Sequence, residues 1–249
     1  MTEIFEEETM GKGILTHLTI IMDGNGRWAE NRGLRREIGH RKGAENLRNL
    51  CVLCRERAIR YVTVYAFSTE NWHRPRSEVN ALMRLFAQYF KKYAAEMERE
   101  GIRLRFIGER SQLPADVTRT MDEAEQTSKD RTALQLVIAF NYGGRSEIVS
   151  AARAIAADSV SGKLAPSDIT EDVFAGYLYL PDIPEPEFLI RTGGEYRLSN
   201  FLLWQSAYTE LYTDDCLWPD FGAQQLDRAL EDYSTRQRRF GSIRGETSY

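Results

Sequence analysis

The apolar run HLTIIM (17–22) stops at an acid, and Asp23 is followed at once by Gly24, Asn25, Gly26 and Arg27. A carboxylate is what a hard cation such as Mg²⁺ takes, one or two at a time, with water and phosphate oxygens completing its shell. Glycines let backbone N–H groups approach an anion closely, and the arginine fork matches phosphate oxygens. The same chemistry recurs. YVTVYAF runs into Ser68-Thr69-Glu70-Asn71-Trp72-His73-Arg74, and LQLVIAF into Asn141-Tyr142-Gly143-Gly144-Arg145. FLI (188–190) runs into Arg191-Thr192-Gly193-Gly194-Glu195-Tyr196-Arg197-Leu198-Ser199. Each short apolar segment ends in small, amide, hydroxyl and arginine residues.

These ends can meet only if the apolar runs are parallel strands. With RLRFIG (103–108), five such runs alternate with helical patterns over 41–58, 77–100, 115–129, 145–160 and 222–238. That alternation predicts a single α/β domain: a central, mostly parallel sheet flanked by helices. The carboxyl ends of such strands share one rim, where ligands bind. Arg27, Arg74, Arg191 and Arg197 are therefore expected to converge on a strongly anionic group. Asp23 among them is either a salt-bridge partner or a Mg²⁺ ligand, and Glu210 in SAYTELY is a candidate second acid.

The 77–100 pattern opens at Pro75 and Ser77 and closes at Gly101. Val79, Leu82, Met83, Phe86, Phe90, Tyr93 and Met97 form one broad apolar stripe along roughly 35 Å of helix. Both core packing and the wall of a long apolar cavity fit that stripe.

The 249 residues are 42% hydrophobic and 28% charged, with a net charge of -4. An acidic field disfavours nucleic acid as a partner. No apolar stretch reaches the roughly 20 residues of a membrane span, and MTEIFEEETMGKG lacks the order of a signal peptide, so the cytoplasm is expected. Residues 1–15 and 242–249 are expected to be flexible tails around a domain over 16–241. Cys51 and Cys54 share an apolar helical face with Leu47, Leu50 and Ala58, which predicts buried thiols rather than a metal or redox pair.

HLTIIMDGNGRWA, GHRKGA, YAFSTENWHRP, NYGGR, IRTGGEYRLSNFLLWQSAYTELY and LWPDF, in that order, closely resemble the cis-prenyltransferases, the bacterial undecaprenyl diphosphate synthases best of all. The resemblance implies a homodimer, with a hydrophobic tunnel between sheet and helices. It also implies Mg²⁺-dependent, repeated addition of isopentenyl diphosphate to farnesyl diphosphate. Asp23 would be the metal-linked acid. Gly24, Asn25, Gly26, Arg27, Arg36 and His40 would hold the allylic diphosphate, with Trp28 beside it. Ser68, Thr69, Glu70, Asn71, Trp72 and Arg74 would form a second substrate loop, with Asn71 at the proton-transfer position. Arg191, Arg197 and Ser199 would grip isopentenyl diphosphate, and Glu210 would complete the metal shell, from the partner subunit's side if not its own. Ala44, Ala66 and Leu134 would line the tunnel, which Phe86, Tyr89, Phe90 and Tyr93 would narrow. The lipid product implies transient visits to the membrane surface.

One departure concerns Tyr196, which follows Glu195 where some members carry a histidine near the metal; a neutral phenol is a poor Mg²⁺ ligand. Rival readings are a shorter-chain cis-polyprenyl diphosphate synthase, a trans-type enzyme using DDCLWPD (214–220), and a haloacid-dehalogenase-like phosphotransferase. Pro219 and the lack of a second copy count against the trans-type motif. Asn25 replaces the second acid that the phosphotransferase needs. A non-catalytic partner subunit would be expected to lack Asp23 and several of the arginines, all of which are present. His17 and His73 are expected to be structural.

Overall fold

The computed structural model describes residues 15–236. Of the expected N-terminal tail only Leu15 is among them, and at 6% exposure it already belongs to the core. The expected C-terminal tail, and residues 237–241 of the expected domain, lie outside the described residues.

Six strands form one sheet: β1 (His17–Ile21), β2 (Tyr61–Ser68), β3 (Ile102–Ile107), β4 (Leu134–Tyr142), β5 (Phe188–Thr192) and β6 (Glu210–Asp214). Their order is β3-β4-β2-β1-β5-β6, and every neighbouring pair is parallel. Between them run α1 (Asn25–Glu30), α2 (Arg36–Glu56), α3 (Arg76–Arg99), α4 (Ala115–Ser128), α5 (Gly144–Val160), α6 (Glu171–Ala175) and α7 (Ala223–Thr235). Every strand and helix predicted from periodicity is present, within a few residues at each end. β6 was not predicted. Its residues ELYTD include no apolar run, because an edge strand half-exposed to water needs none.

Alternation along the strands divides the core. Leu18 and Ile20 of β1, with Leu134, Leu136, Ile138 and Phe140 of β4, face α2, α3, α4 and α7. Ile21, Val137 and Ala139 face the other way, towards Tyr179, Leu180, Phe201 and Leu202. On the first face α2 buries Leu47, Leu50, Cys51 and Cys54. Burial pushes the Cys51 thiol up to about 12 and also raises Cys54 well above its ordinary value, so both stay protonated as small apolar side chains.

His17 is a buried part of this framework. Its Nδ1 lies 2.6 Å from the Pro184 carbonyl and its Nε2 2.8 Å from Thr63 Oγ1. Burial lowers its pKa from 6.5 to about 4, with the Pro184 contact opposing the shift. The folded state therefore holds a neutral ring that the unfolded chain protonates first. Stability contributed by this ring is complete above pH 6.5 and is lost as pH falls from there towards 4. The expected loss is on the order of 3 kcal/mol. His17→Gln should flatten that part of the urea-denaturation pH profile; an unchanged slope between pH 6.5 and 4 would contradict it.

Candidate active site

The chain leaves β1 towards β2 on one side and returns through β5 on the other, so a crevice opens where strand order reverses. Asp23 stands at its edge. Thr192, the last residue of β5, fixes the Asp23 backbone: its Oγ1 accepts from Asp23 N (2.9 Å) and donates to Asp23 O (2.8 Å). Trp218 N donates to the same carbonyl (3.0 Å), while the buried Trp218 indole donates to Gly43 O of α2 (2.8 Å). Gly24 then turns the chain into α1 at φ 101°, a conformation that favours glycine. The first-turn N–H groups of α1 have no acceptor within the helix.

The Asp23 carboxylate accepts from Gly24 N through Oδ1 (2.7 Å) and from Arg191 Nη2 through Oδ2 (2.8 Å). Arg191, only 5% exposed in its side chain, also donates through Nη1 to the Arg197 carbonyl (2.5 Å) and to Ser199 Oγ (2.7 Å). Its buried Nε–H has no hydrogen-bond partner among the described residues. Arg27 lies 3.8 Å from Asp23 and donates to Gly193 O (2.8 Å), tying the ends of β1 and β5 together.

Across the crevice, β2 passes into a 3₁₀ turn at Thr69–His73. Asn71 Oδ1 accepts from Ser68 N (3.1 Å), which leaves the amide NH₂ as the end it presents. Arg74 donates to Glu78 Oε1 (3.0 Å) in the first turn of α3. Glu78 also stands 3.4 Å from His40 Nε2 and 3.5 Å from Arg36 Nε. Burial and then the Arg74 charge push the His40 pKa down, which favours a neutral ring.

Asp23, Asn25, His40, Ser68, Glu70, Asn71, Arg74, Arg191 and Ser199 line one cleft of about 520 Å³. Beneath it lies an apolar cavity of about 100 Å³ against α2, α3 and β4. Met22, Asn25, His40, Ala66, Phe67 and Leu82 line both spaces, so the polar cleft and the apolar cavity adjoin. Ala44 and Ala66 line the apolar cavity as expected, and Phe86, Tyr89 and Phe90 close it. Leu134 is instead buried in the core away from this wall, and Tyr93 packs on Tyr89 behind it.

Other expected residues take different places. The Arg197 guanidinium is 58% exposed and paired with Glu195 at 2.5 Å, so only its backbone carbonyl reaches Arg191. Glu210 begins β6 in register with Phe188, about 16 Å along the strands from Asp23, and pairs with Arg236 at 3.0 Å. A single chain does not bring the two acids together. Among the described residues no group of three or more His, Cys, Asp or Glu side chains is placed to hold a metal. Trp28 donates to Asp220 (2.7 Å) beneath the Arg32 guanidinium, and Trp72 donates to Asn141 Oδ1 (2.7 Å) against Phe67; both brace the loops outside the cleft. Thr69 turns to Glu70, and Arg36 to Glu30 at 2.6 Å. Gly26 makes room for that arginine: a Cβ there would lie 2.5 Å from Arg36 Cζ. Tyr196 is 85% exposed. Within DDCLWPD, Asp214 caps Cys216 and Asp220 holds Trp28 and Arg32, which are structural uses.

Sequence reasoning missed two hubs. Glu78 gathers Arg36, His40 and Arg74, and its only sequence signal is the four-residue spacing from Arg74. Asn200 joins three loops: its carbonyl accepts from Gly144 N (2.7 Å), its Oδ1 from Arg145 N (2.9 Å), and its Nδ2 donates to Glu70 Oε1 (2.9 Å). Asn200 thereby takes two first-turn N–H groups of α5, those of Gly144 and Arg145, at the NYGGR junction. Burial alone would raise the Glu70 pKa, but hydrogen bonds led by the one from Asn200 hold it below the usual value.

An open parallel sheet carrying a polar, arginine-bearing cleft beside an apolar pocket suits an enzyme whose substrates have anionic heads and greasy tails. A family model described as "Putative undecaprenyl diphosphate synthase" matches residues 21–241. An isoprenyl transferase of Thermotoga maritima is 50% identical over 227 residues, 91% of this chain and 97% of the relative. A ditrans,polycis-undecaprenyl-diphosphate synthase ((2E,6E)-farnesyl-diphosphate specific) of Xanthomonas axonopodis pv. citri is 48% identical, covering 90% of this chain and 88% of that one. Among solved structures, lavandulyl diphosphate synthase from Lavandula x intermedia, in complex with dimethylallyl diphosphate, superposes with a TM-score of 0.89 at 37% identity, over 92% of this chain and 99% of the other. The chain belongs to the cis-prenyltransferase family, that of the undecaprenyl diphosphate synthases. It is a prenyltransferase.

Proposed function

We propose that this prenyltransferase condenses isopentenyl diphosphate repeatedly with farnesyl diphosphate, with Mg²⁺, to make undecaprenyl diphosphate, the carrier-lipid precursor for cell-wall polysaccharide. The observation that carries this reading is that the polar cleft and the apolar cavity lie side by side and share six lining residues. A diphosphate seated in the first has its prenyl tail led into the second. Burying each CH₂ contributes about 0.8 kcal/mol, so a growing chain is held by the wall it reaches.

The donor set at Asp23 fits Mg²⁺. Each carboxylate oxygen keeps lone-pair capacity beyond its one hydrogen bond, and Mg²⁺ needs only one or two carboxylates when diphosphate oxygens and water supply the rest. When bound there, the ion would help neutralise the charge on the departing diphosphate.

In the reaction the allylic C–O bond breaks, C4 of isopentenyl diphosphate bonds to the allylic carbon, and a proton leaves C2 as the new double bond forms. Arg191, Arg74 and Arg27, with the first-turn N–H groups of α1, bind and stabilise the two diphosphates. Ser199 Oγ orients Arg191. Asn71, its carbonyl committed to Ser68, donates to a diphosphate oxygen and so aims that oxygen at the departing proton; an amide is too weak a base to take it. Holding both substrates in one cleft supplies the entropic part of the rate gain. The homodimer, the cytoplasmic setting and the transient membrane visit belong to this same reading.

Incubation with farnesyl diphosphate and labelled isopentenyl diphosphate, followed by chromatographic sizing, tests it. A long polyprenyl diphosphate with cis double bonds in the added units is expected. A product ending after a few units supports the shorter-chain synthase instead.

A further inference from the structure

A third space adjoins the other two. Between the start of α2 and the first turns of α3 lies a groove of about 210 Å³. Its floor is apolar, formed by Ile38, Ala81, Leu82 and Leu85, and Arg35, Arg41 and Arg84 rim it. His40, Leu82 and Leu85 line both this groove and the apolar cavity, so the two are neighbours across these side chains.

The charges around it do not cancel. Glu37 is taken by Arg35 at 3.7 Å, and Glu78 faces inward to Arg74, Arg36 and His40. Among the described residues Arg41 and Arg84 have no ion-pair partner, and both are exposed. An acidic chain, net -4, thus presents two free arginines over an apolar trough, with Leu34 another 42% exposed just before α2. Arginine heads suit phosphate, and their stems and the leucines suit acyl chains.

We propose that this groove seats an anionic phospholipid bilayer, with Arg41 and Arg84 on headgroup phosphates and Leu34 and Ile38 at the acyl boundary. The membrane then meets the protein beside the apolar cavity, and the product crosses between α2 and α3 rather than back through the diphosphate cleft. The purpose of the contact rests on the lipid product proposed above; the contact itself needs no substrate.

Sedimentation of the full chain with phosphatidylglycerol-containing vesicles, with no substrate present, tests it. Binding is expected to those vesicles, to be absent with pure phosphatidylcholine, and to weaken as salt rises. Arg41→Gln/Arg84→Gln should weaken it about thirtyfold, about fivefold for each charge at the surface. It should leave elongation in detergent unchanged, since neither residue lines the cleft. Arg119→Gln/Arg153→Gln removes equal charge elsewhere and should bind as the native chain does. No vesicle binding by the native chain, equal binding by the Arg41/Arg84 variant, or an equal loss in the Arg119/Arg153 control each overturns the proposal. Elongation without vesicle binding defeats this inference alone, and vesicle binding without elongation defeats only the activity proposed above.

Discussion

Asp23→Ala is expected to lower kcat/KM by on the order of 10³, about 4 kcal/mol of transition-state stabilisation. Three functions meet at this carboxylate. In the function proposed above it would take Mg²⁺ beside a diphosphate. It accepts Gly24 N–H, which sets the turn into α1. It also anchors Arg191, whose sole ion pair among the described residues it provides. Removing it leaves a buried guanidinium held only by neutral oxygens, so stability should fall too. Because Asp23 is itself partly solvated, we expect about 2 kcal/mol, or a Tm lowered by about 6 °C. Asp23→Glu separates the two effects. It keeps the charge near Arg191 but displaces the oxygens by a CH₂, so Tm should return towards native while turnover stays low. Retention of a tenth or more of native turnover by Asp23→Ala would remove this residue from the chemistry.

Gly39→Ala should destabilise the protein, although the same change inside an ordinary helix stabilises it by roughly 1 kcal/mol. Gly39 lies where α1 crosses α2. A Cβ there would sit 1.9 Å from the Asn25 carbonyl oxygen and 3.2 Å from Ala29 Cβ. The obstacle is backbone, so α1 itself must move. Overpacking of this kind costs about 3 kcal/mol, which lowers Tm by about 6–12 °C. Since α1 carries Asn25, Gly26 and Arg27, KM for the allylic diphosphate should rise together with the loss of stability. Calorimetry and steady-state kinetics on the one variant check both; an unchanged or higher Tm would mean that the two helices do not touch here as described.

Much of this was legible in the sequence. Short, largely unbroken apolar runs located β1, β2, β3, β4 and β5, because a strand buried on both faces must be apolar along its length. The Pro75-to-Gly101 frame bounded α3, because proline and glycine act through local backbone geometry alone. The alternation of strands with helices required a parallel sheet, and a parallel sheet puts Asp23, Ser68 and Arg191 on one rim. Motif resemblance supplied the chemistry expected there.

What the sequence left undecided was which partner each polar side chain takes. Arg197 was expected in the cleft, but Glu195, two residues away, holds its guanidinium at the surface. Glu210 opens β6 about 16 Å along the strands from Asp23 of its own chain, in a strand too polar and too exposed to be read from its pattern. Trp28 and Trp72 stand beside the cleft as braces because Asp220 and Asn141 accept their indole N–H groups. Glu78 and Asn200 became hubs because packing brought distant loops to them. Local propensity acts over a few residues and fixes the elements. Charge pairing and close approach act through space, between groups as far apart as Asp23 and Arg191, so only the folded chain decides them.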